Sequence, residues 1–260
     1  MGSWIESATT VATIGLCITG STAIADVTAQ DVWQNWKDYM ASSGYEVEAE
    51  ESRSGDTLTI ADLTMSLDIP EEDASVSFVM GEVSFTDNGD GTVSVSIPPV
   101  MPMNVLVEGP DGEDVDVALE YSSKALAMNV SGDPANMTYT YSAAELAMSL
   151  VSVMAEGATA DIGTAEVTLA NLAGTTVMKQ GDLLVSDQKM TTGAVAYNLD
   201  ITDPEGGGGR MVIKGGAESM DFAGTASLPA EMDASDMAAM LSAGFAMDGE
   251  FRYRNGAADF

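Results

Sequence analysis

The sequence predicts a mainly β fold: a long antiparallel meander forming a curved sheet or open half-barrel, with an N-terminal helix and two further short helices. Three observations carry this expectation. From Asp56 to Val107 the chain reads DTLTIADLTMSLDIPEEDASVSFVMGEVSFTDNGDGTVSVSIPPVMPMNVLV, with apolar and polar residues alternating in run after run. Turn formers such as Pro70, Asn88-Gly89 and Pro98-Pro99 separate the runs. The same texture resumes after Gly157. Period-two alternation gives each strand one face for a core and one for water.

Composition narrows the chemistry. The chain of 260 residues is long enough for a sizeable core, and its 45% hydrophobic content is too high for a disordered acidic tail. A formal net charge of -32 repels nucleic-acid phosphates and anionic membranes. Histidine is absent, which excludes Ser-His-Asp and Cys-His machinery. The single cysteine, Cys17, lies in a segment expected to be removed, leaving no disulfide, thiol nucleophile or Cys/His metal site. Paired carboxylates for glycoside hydrolysis remain conceivable, but no pair stands out among so many acids. No enzyme, cofactor or resident metal is expected, and the pattern singles out no catalytic or ligand-binding residue.

Residues 1–25 read as a secretory signal. Ala8 to Ala25 is apolar and rich in small residues, and Ala23-Ile24-Ala25 offers a cleavage site before Asp26. Met1 to Glu6 carries no Lys or Arg, unlike the usual basic start. Leu16 before Cys17 argues against a lipid anchor. The expected location is periplasmic or secreted, with residues 26–260 forming a single β-rich domain.

Thr28 to Ser43 then reads as a helix. Thr28 caps it with Asp31 as capping-box partner, and Gly44 ends it. Val32, Trp36, Tyr39 and Met40 share the expected docking face, with Trp33 at its flank. Tyr45 to Arg53 is a strand with Glu46, Glu48 and Glu50 on one face, a solvated face or a weak cation site. Ser54-Gly55 turns it into Thr57 to Ile69. Pro70 to Asp73 is a turn. Val76 to Phe85 is a strand region broken at Gly81, and Asp87-Asn88-Gly89-Asp90-Gly91 is a hairpin turn into Thr92 to Ile97. Its acids lack EF-hand spacing.

Pro98, Pro99 and Pro102 mark an edge or bend. Gly109-Pro110-Asp111-Gly112 is a turn followed by Asp111, Glu113, Asp114 and Asp116, a weak Ca²⁺ candidate. Val115 to Tyr121 and Ala125 to Val130 read as a hairpin around Ser122-Ser123, with Ser122 and Lys124 as turn residues. After a short strand at Met137 to Tyr141, Ser142-Ala143-Ala144-Glu145 matches a capping box. It opens an expected helix to Glu156 with Leu146, Leu150, Val153 and Met154 on one face.

Further strands are expected at Ala165 to Leu172, Leu183 to Ser186, Ala194 to Ile201, Met211 to Lys214 and Met220 to Leu228. Gly206 to Gly209 links two of them. Ser235 to Ala243 reads as a third helix. Ala246 to Tyr253 and Ala257 to Phe260 read as a hairpin around Asn255-Gly256, its second arm cut short, so the natural chain is expected to continue. Thr168 to Leu172 echoes Thr59 to Leu63, which hints at two similar halves, 26–157 and 158–260.

Several of these stretches carry a resemblance. ADVTAQDVWQNWKDYM, SGDTLTIADLTMSLDIP and NGDGTVSVSIPPVMP, following a signal segment, resemble a family of uncharacterised secreted proteins of marine alphaproteobacteria, catalogued as a domain of unknown function. These are fold markers, so the resemblance implies export and the β-rich fold but assigns no functional residue. The helix-plus-meander texture is more distantly similar to AsmA-like and lipid-carrying β-groove envelope proteins.

The 18 methionines include Met65, Met80, Met128 and Met148 at inward-alternating places. Met suits irregular cores and varied apolar ligands alike. The expected function is therefore a non-enzymatic exported envelope protein that binds or carries an apolar ligand such as lipid. The alternative is a structural or protein-interaction module of the envelope with weak Ca²⁺ binding at acidic turns. A Cu(I) site at Met237, Met240 and Met232 is a minor third reading.

Overall fold

The computed structural model describes residues 26–69, 73–110, 114–155, 157–160, 162–202, 209–229 and 237–259. The expected signal segment 1–25, Pro70, Asp111, Glu113, Gly206 to Gly208, Met232, Ser235 and Phe260 lie outside the described residues. The described chain is mainly β, in one large antiparallel sheet with few helices.

Helix α1 (Ala29–Ser42) begins as its sequence dictates. The Asp31 N–H donates to the Thr28 hydroxyl, and the Thr28 N–H donates to the Asp31 carboxylate at 3.0 Å. Such a cap is worth about 1 kcal/mol. At the other end Gly44 takes φ +90, a conformation that costs glycine little. The buried face holds Val32, Trp33 and Asn35, with Trp36 and Met40 partly buried. The expected face is thus rotated. Trp33, placed at its flank, is fully buried, and Tyr39 is 43% exposed. Phe85 sets this rotation, with its ring centroid 6.2 Å from Trp33 and 5.0 Å from Trp36.

The strands form a meander of long antiparallel runs. β1 (Glu46–Ser54) and β2 (Thr57–Ile69) pair around Gly55. β3 (Ala74–Met80) and β4 (Val83–Asp87) lie end to end along β2. β5 (Val93–Ser96) and β6 (Val100–Glu108) lie along β4 and β3. β7 (Val115–Lys124) and β8 (Ala127–Asp133) lie along β6 and β5. β9 (Asn136–Ala155) runs the length of both.

The pattern then repeats. After β10 (Ala158–Ala160), β11 (Gly163–Lys179) lies along β9. β12 (Leu183–Thr192) and β13 (Val195–Thr202) lie end to end along β11. β14 (Arg210–Ala217) and β15 (Ser219–Pro229) lie along β13 and β12. α2 (Met237–Ser242) leads into β16 (Ala246–Arg254) and β17 (Ala257–Asp259), which lie along β15 and β14.

The breaks within these runs line up. Asp62, Gly81-Glu82, Pro98-Pro99, Ala125, Ala144, Asn171, Gly193, Glu218 and Asn255 fall opposite one another in the register of successive strands. Four of them, Asp62, Ala125, Asn171 and Asn255, have φ near +50. The result is a crease of bulge-like irregularities crossing the whole sheet. It divides the strands into a half that faces α1 and a distal half. The echoed pentads bring Asp62 and Asn171 to matching places on this crease, and Asp and Asn tolerate that backbone better than most residues.

Three expectations are corrected here. Ser142 to Glu156 is not a helix; within the described residues it belongs to strand β9, paired with β11 on one side and with β7 and β8 on the other. Backbone pairing on both edges outweighs a local capping box, and the Glu of that box is only mildly disfavoured in a strand. Ser122-Ser123 is not a turn between β7 and β8. Both residues, with Lys124, lie in β7, and both strands pair with β9, so the chain kinks at Ala125 without reversing. Likewise β17 pairs with β14 and not with β16, so Asn255-Gly256 is a kink as well. Of the two further helices, only the last forms, as α2.

The Ala125 kink is testable. Alanine at φ 52 is strained by roughly 1–2 kcal/mol, offset in part by the unfolded-state entropy that glycine adds. Ala125→Gly is therefore expected to raise stability by up to about 1 kcal/mol in urea unfolding. A reversing turn with relaxed backbone at this position would instead lose stability on that change.

Candidate ligand-binding face

Helix α1 is held at its start and along both flanks. At its start the Ala29 N–H donates to Asp87 at 2.6 Å, and the other Asp87 oxygen accepts from Arg53 at 2.6 Å. Along its flank the Trp33 indole N–H donates to Glu51 at 2.6 Å, and Lys37 reaches the same carboxylate oxygen at 2.9 Å. The Trp33 hydrogen bond, and then Lys37, hold the Glu51 carboxyl below its ordinary range. Lys37 also lies 5.2 Å from the centre of the Trp33 ring. On the far side Asp38 accepts from Gln180 at 3.0 Å.

Beneath the helix one buried cluster draws Leu58, Ile60, Phe85, Val93 and Val130 from β2, β4, β5 and β8. It also takes Met137, Met178, Leu184 and Leu228 from β9, β11, β12 and β15. This half of the sheet therefore wraps α1. The distal half has no such cover among the described residues. Its register still sorts side chains by face. Met101, Tyr121, Met148, Val167, Tyr197 and Gly215 stand opposite one another across successive strands. The adjoining row is Glu120, Ser149, Glu166, Asn198, Lys214 and Asp259. Neighbours along a strand point to opposite faces, so one face of the distal half is apolar and the other polar. Met148 and Val167 on the apolar face are 38% and 42% exposed.

Three concavities lie along the sheet, one over the distal apolar face and two in the half that faces α1. One of about 450 Å³ lies over Leu119, Tyr121, Met148, Leu150 and Val167. Another of about 540 Å³ is lined by Tyr141, Gly174, Met190 and Phe222 together with the charged Lys189, Asp221, Glu250 and Arg252. The Tyr141 ring lies directly over Gly174, where a Cβ would meet it at 2.6 Å and push it aside. The last, of about 320 Å³, lies between α1 and the sheet, against Trp36, Met40, Met128, Tyr139 and Met178. These sizes suit small-molecule sites, which run from about 300 to 1,000 Å³.

One polar group in the last cavity stands out. Asn35 is 1% exposed, and its Oδ1 accepts the Tyr139 hydroxyl at 2.7 Å. Burial pushes the Tyr139 phenol above its ordinary value, so it stays protonated as the donor. Asn35 Nδ2 has no partner. An unpaired buried amide donor costs roughly 1–3 kcal/mol. The sequence carried one signal for it: Asn35 is a polar residue between Val32 and Trp36 on an otherwise apolar helical face.

The metal candidates fare differently. Among the described residues, no three acids converge as metal ligands. Glu46, Glu48 and Glu50 lie exposed on β1. Asp87 is occupied by Ala29 and Arg53, and Asp90 accepts from the Thr92 N–H and hydroxyl. Lys124, read as a turn residue beside Ser122, pairs with Glu145 at 2.8 Å. Met237 is exposed and Met240 buried, so these thioethers face different surroundings. Met65, Met80 and Met128 pack against the core cluster under α1, whereas Met148 lies on the distal apolar face. Comparison of the chain with protein-family models, curated proteins and solved structures finds no match.

Proposed function

We propose that this is a non-enzymatic, exported protein of the cell envelope that binds an apolar ligand, the acyl chain of a lipid, along the apolar face of a curved, half-barrel sheet. The observation that carries this reading is the row of Tyr121, Met148, Val167 and Tyr197, continued by the buried Met101 and backed by a polar row on the opposite face. An ordinary core would be closed by a second layer, as α1 closes the other half. A Met- and Tyr-lined face adapts to flexible chains, and the polar face keeps the sheet in water.

The test is native mass spectrometry without detergent, on the full chain expressed with export to a periplasm, followed by organic extraction. The expected result is a protein lacking residues 1–25 that carries a stoichiometric adduct, lost on extraction and matching a lipid. A bare protein that also fails to take up added acyl chains would overturn the reading. It would shift the assignment to an interaction module, which the exposed Met247, Phe251 and Tyr253 on β16 favour.

A further inference from the structure

Resting on the acyl-binding reading, we infer that the cavity beside α1 anchors the polar end of an uncharged amphiphile, with Asn35 Nδ2 donating to its ester, amide or hydroxyl oxygen. Asn35 is buried, lines the cavity and is half satisfied: its Oδ1 accepts from the Tyr139 hydroxyl, and its Nδ2 has no acceptor. Buried polar side chains are normally paired, so the missing acceptor points to a ligand atom.

The chemistry of the cavity selects the ligand's charge. Beyond Asn35 and the Tyr139 hydroxyl, its polar side chains are all uncharged, among them Tyr39, Tyr141, Thr176, Ser186 and Gln188, with no Lys, Arg, Asp or Glu. An anionic head would enter without a counter-charge, into a protein of net charge -32. A cationic head would find no carboxylate at the site. A neutral carbonyl or hydroxyl meets a donor at no such cost. The tail has a path as well. Tyr141 lines both this cavity and the larger one that includes Gly174, Met190 and Phe222. A chain anchored at Asn35 can pass over Tyr141 into that second cavity, along Gly174 and Phe222 and short of the charged Lys189, Asp221, Glu250 and Arg252 that complete its lining.

Titration calorimetry on the full exported chain, stripped of lipid, separates this anchor from the underlying reading. The probes are a monoacylglycerol, the fatty acid of equal chain length at neutral pH, and the corresponding alkane. The monoacylglycerol is expected to bind at least about tenfold tighter than the fatty acid. Asn35→Leu, which preserves the packing volume, should abolish that advantage while leaving alkane binding unchanged. Thr176→Trp, which fills the cavity from the sheet side and keeps Asn35, should do the same. Equal affinity for both heads, or a head preference that survives Asn35→Leu and Thr176→Trp, overturns the anchor and leaves the acyl-binding reading standing. Failure of all three probes to bind overturns both.

Discussion

Trp33→Ala is expected to cost about 3–5 kcal/mol, the range for emptying a buried aromatic site. In urea the unfolding midpoint should fall sharply. The magnitude follows from what the side chain touches. Trp33 is fully buried in the cluster that joins α1 to the sheet, and its ring lies against Phe85. Its indole N–H is committed to Glu51, and Lys37 crosses the ring to reach the same carboxylate. Removing the indole opens a cavity, frees Glu51 from its shortest donor and loosens the flank contact to β1. Tyr39→Ala, on the same helix, should cost under about 1 kcal/mol because Tyr39 lies largely in solvent. If the two substitutions cost the same, α1 does not dock on the face described.

That contrast marks where the sequence was legible. Local signals located α1, β2 and the β4–β5 turn, because their residues satisfy one another within a few positions: Thr28 with Asp31, Asn88 with Thr92. The β2 boundaries, Thr57 and Ile69, are those read from alternation alone. The errors arise where a local signal has two uses. Residues that accept positive φ make a reversal in a hairpin and a kink in a continuous strand. Asn255 took the second role because β14 offered pairing on the far side, and the chain expected to reverse at Ser122-Ser123 kinks at Ala125 instead because β9 pairs with both β7 and β8. Ser142 to Glu145 has the form of a helix start, yet β7 and β8 on one side and β11 on the other enclose this segment. Partners distant in sequence decide such cases, and no window of the chain contains them. The site was half legible. Methionines on an alternating face pointed toward an apolar surface. The orphaned amide of Asn35 required knowing that Tyr139, 104 positions away, takes only its oxygen.

Replacing Val167 and Met148 with lysine should separate binding from folding. Both side chains stand opposite each other on the apolar row between β9 and β11 and remain well exposed. Surface positions of this kind tolerate substitution within roughly 0.5 kcal/mol each, and two added cations relieve some of the net charge of -32. The double variant should therefore fold with nearly unchanged stability. Its affinity for acyl chains should fall more than tenfold, since a bound chain would have to strip water from both ammonium groups. Glu120→Lys, on the polar row one strand away, makes the same change in net charge and should leave binding intact. Loss of several kcal/mol of stability in the double variant would identify the distal face as a packed core. Preserved acyl affinity would remove it as the ligand surface. The stability of this molecule is expected to reside in the half of the sheet wrapped around α1, and its binding capacity in the face that the crease carries beyond the helix.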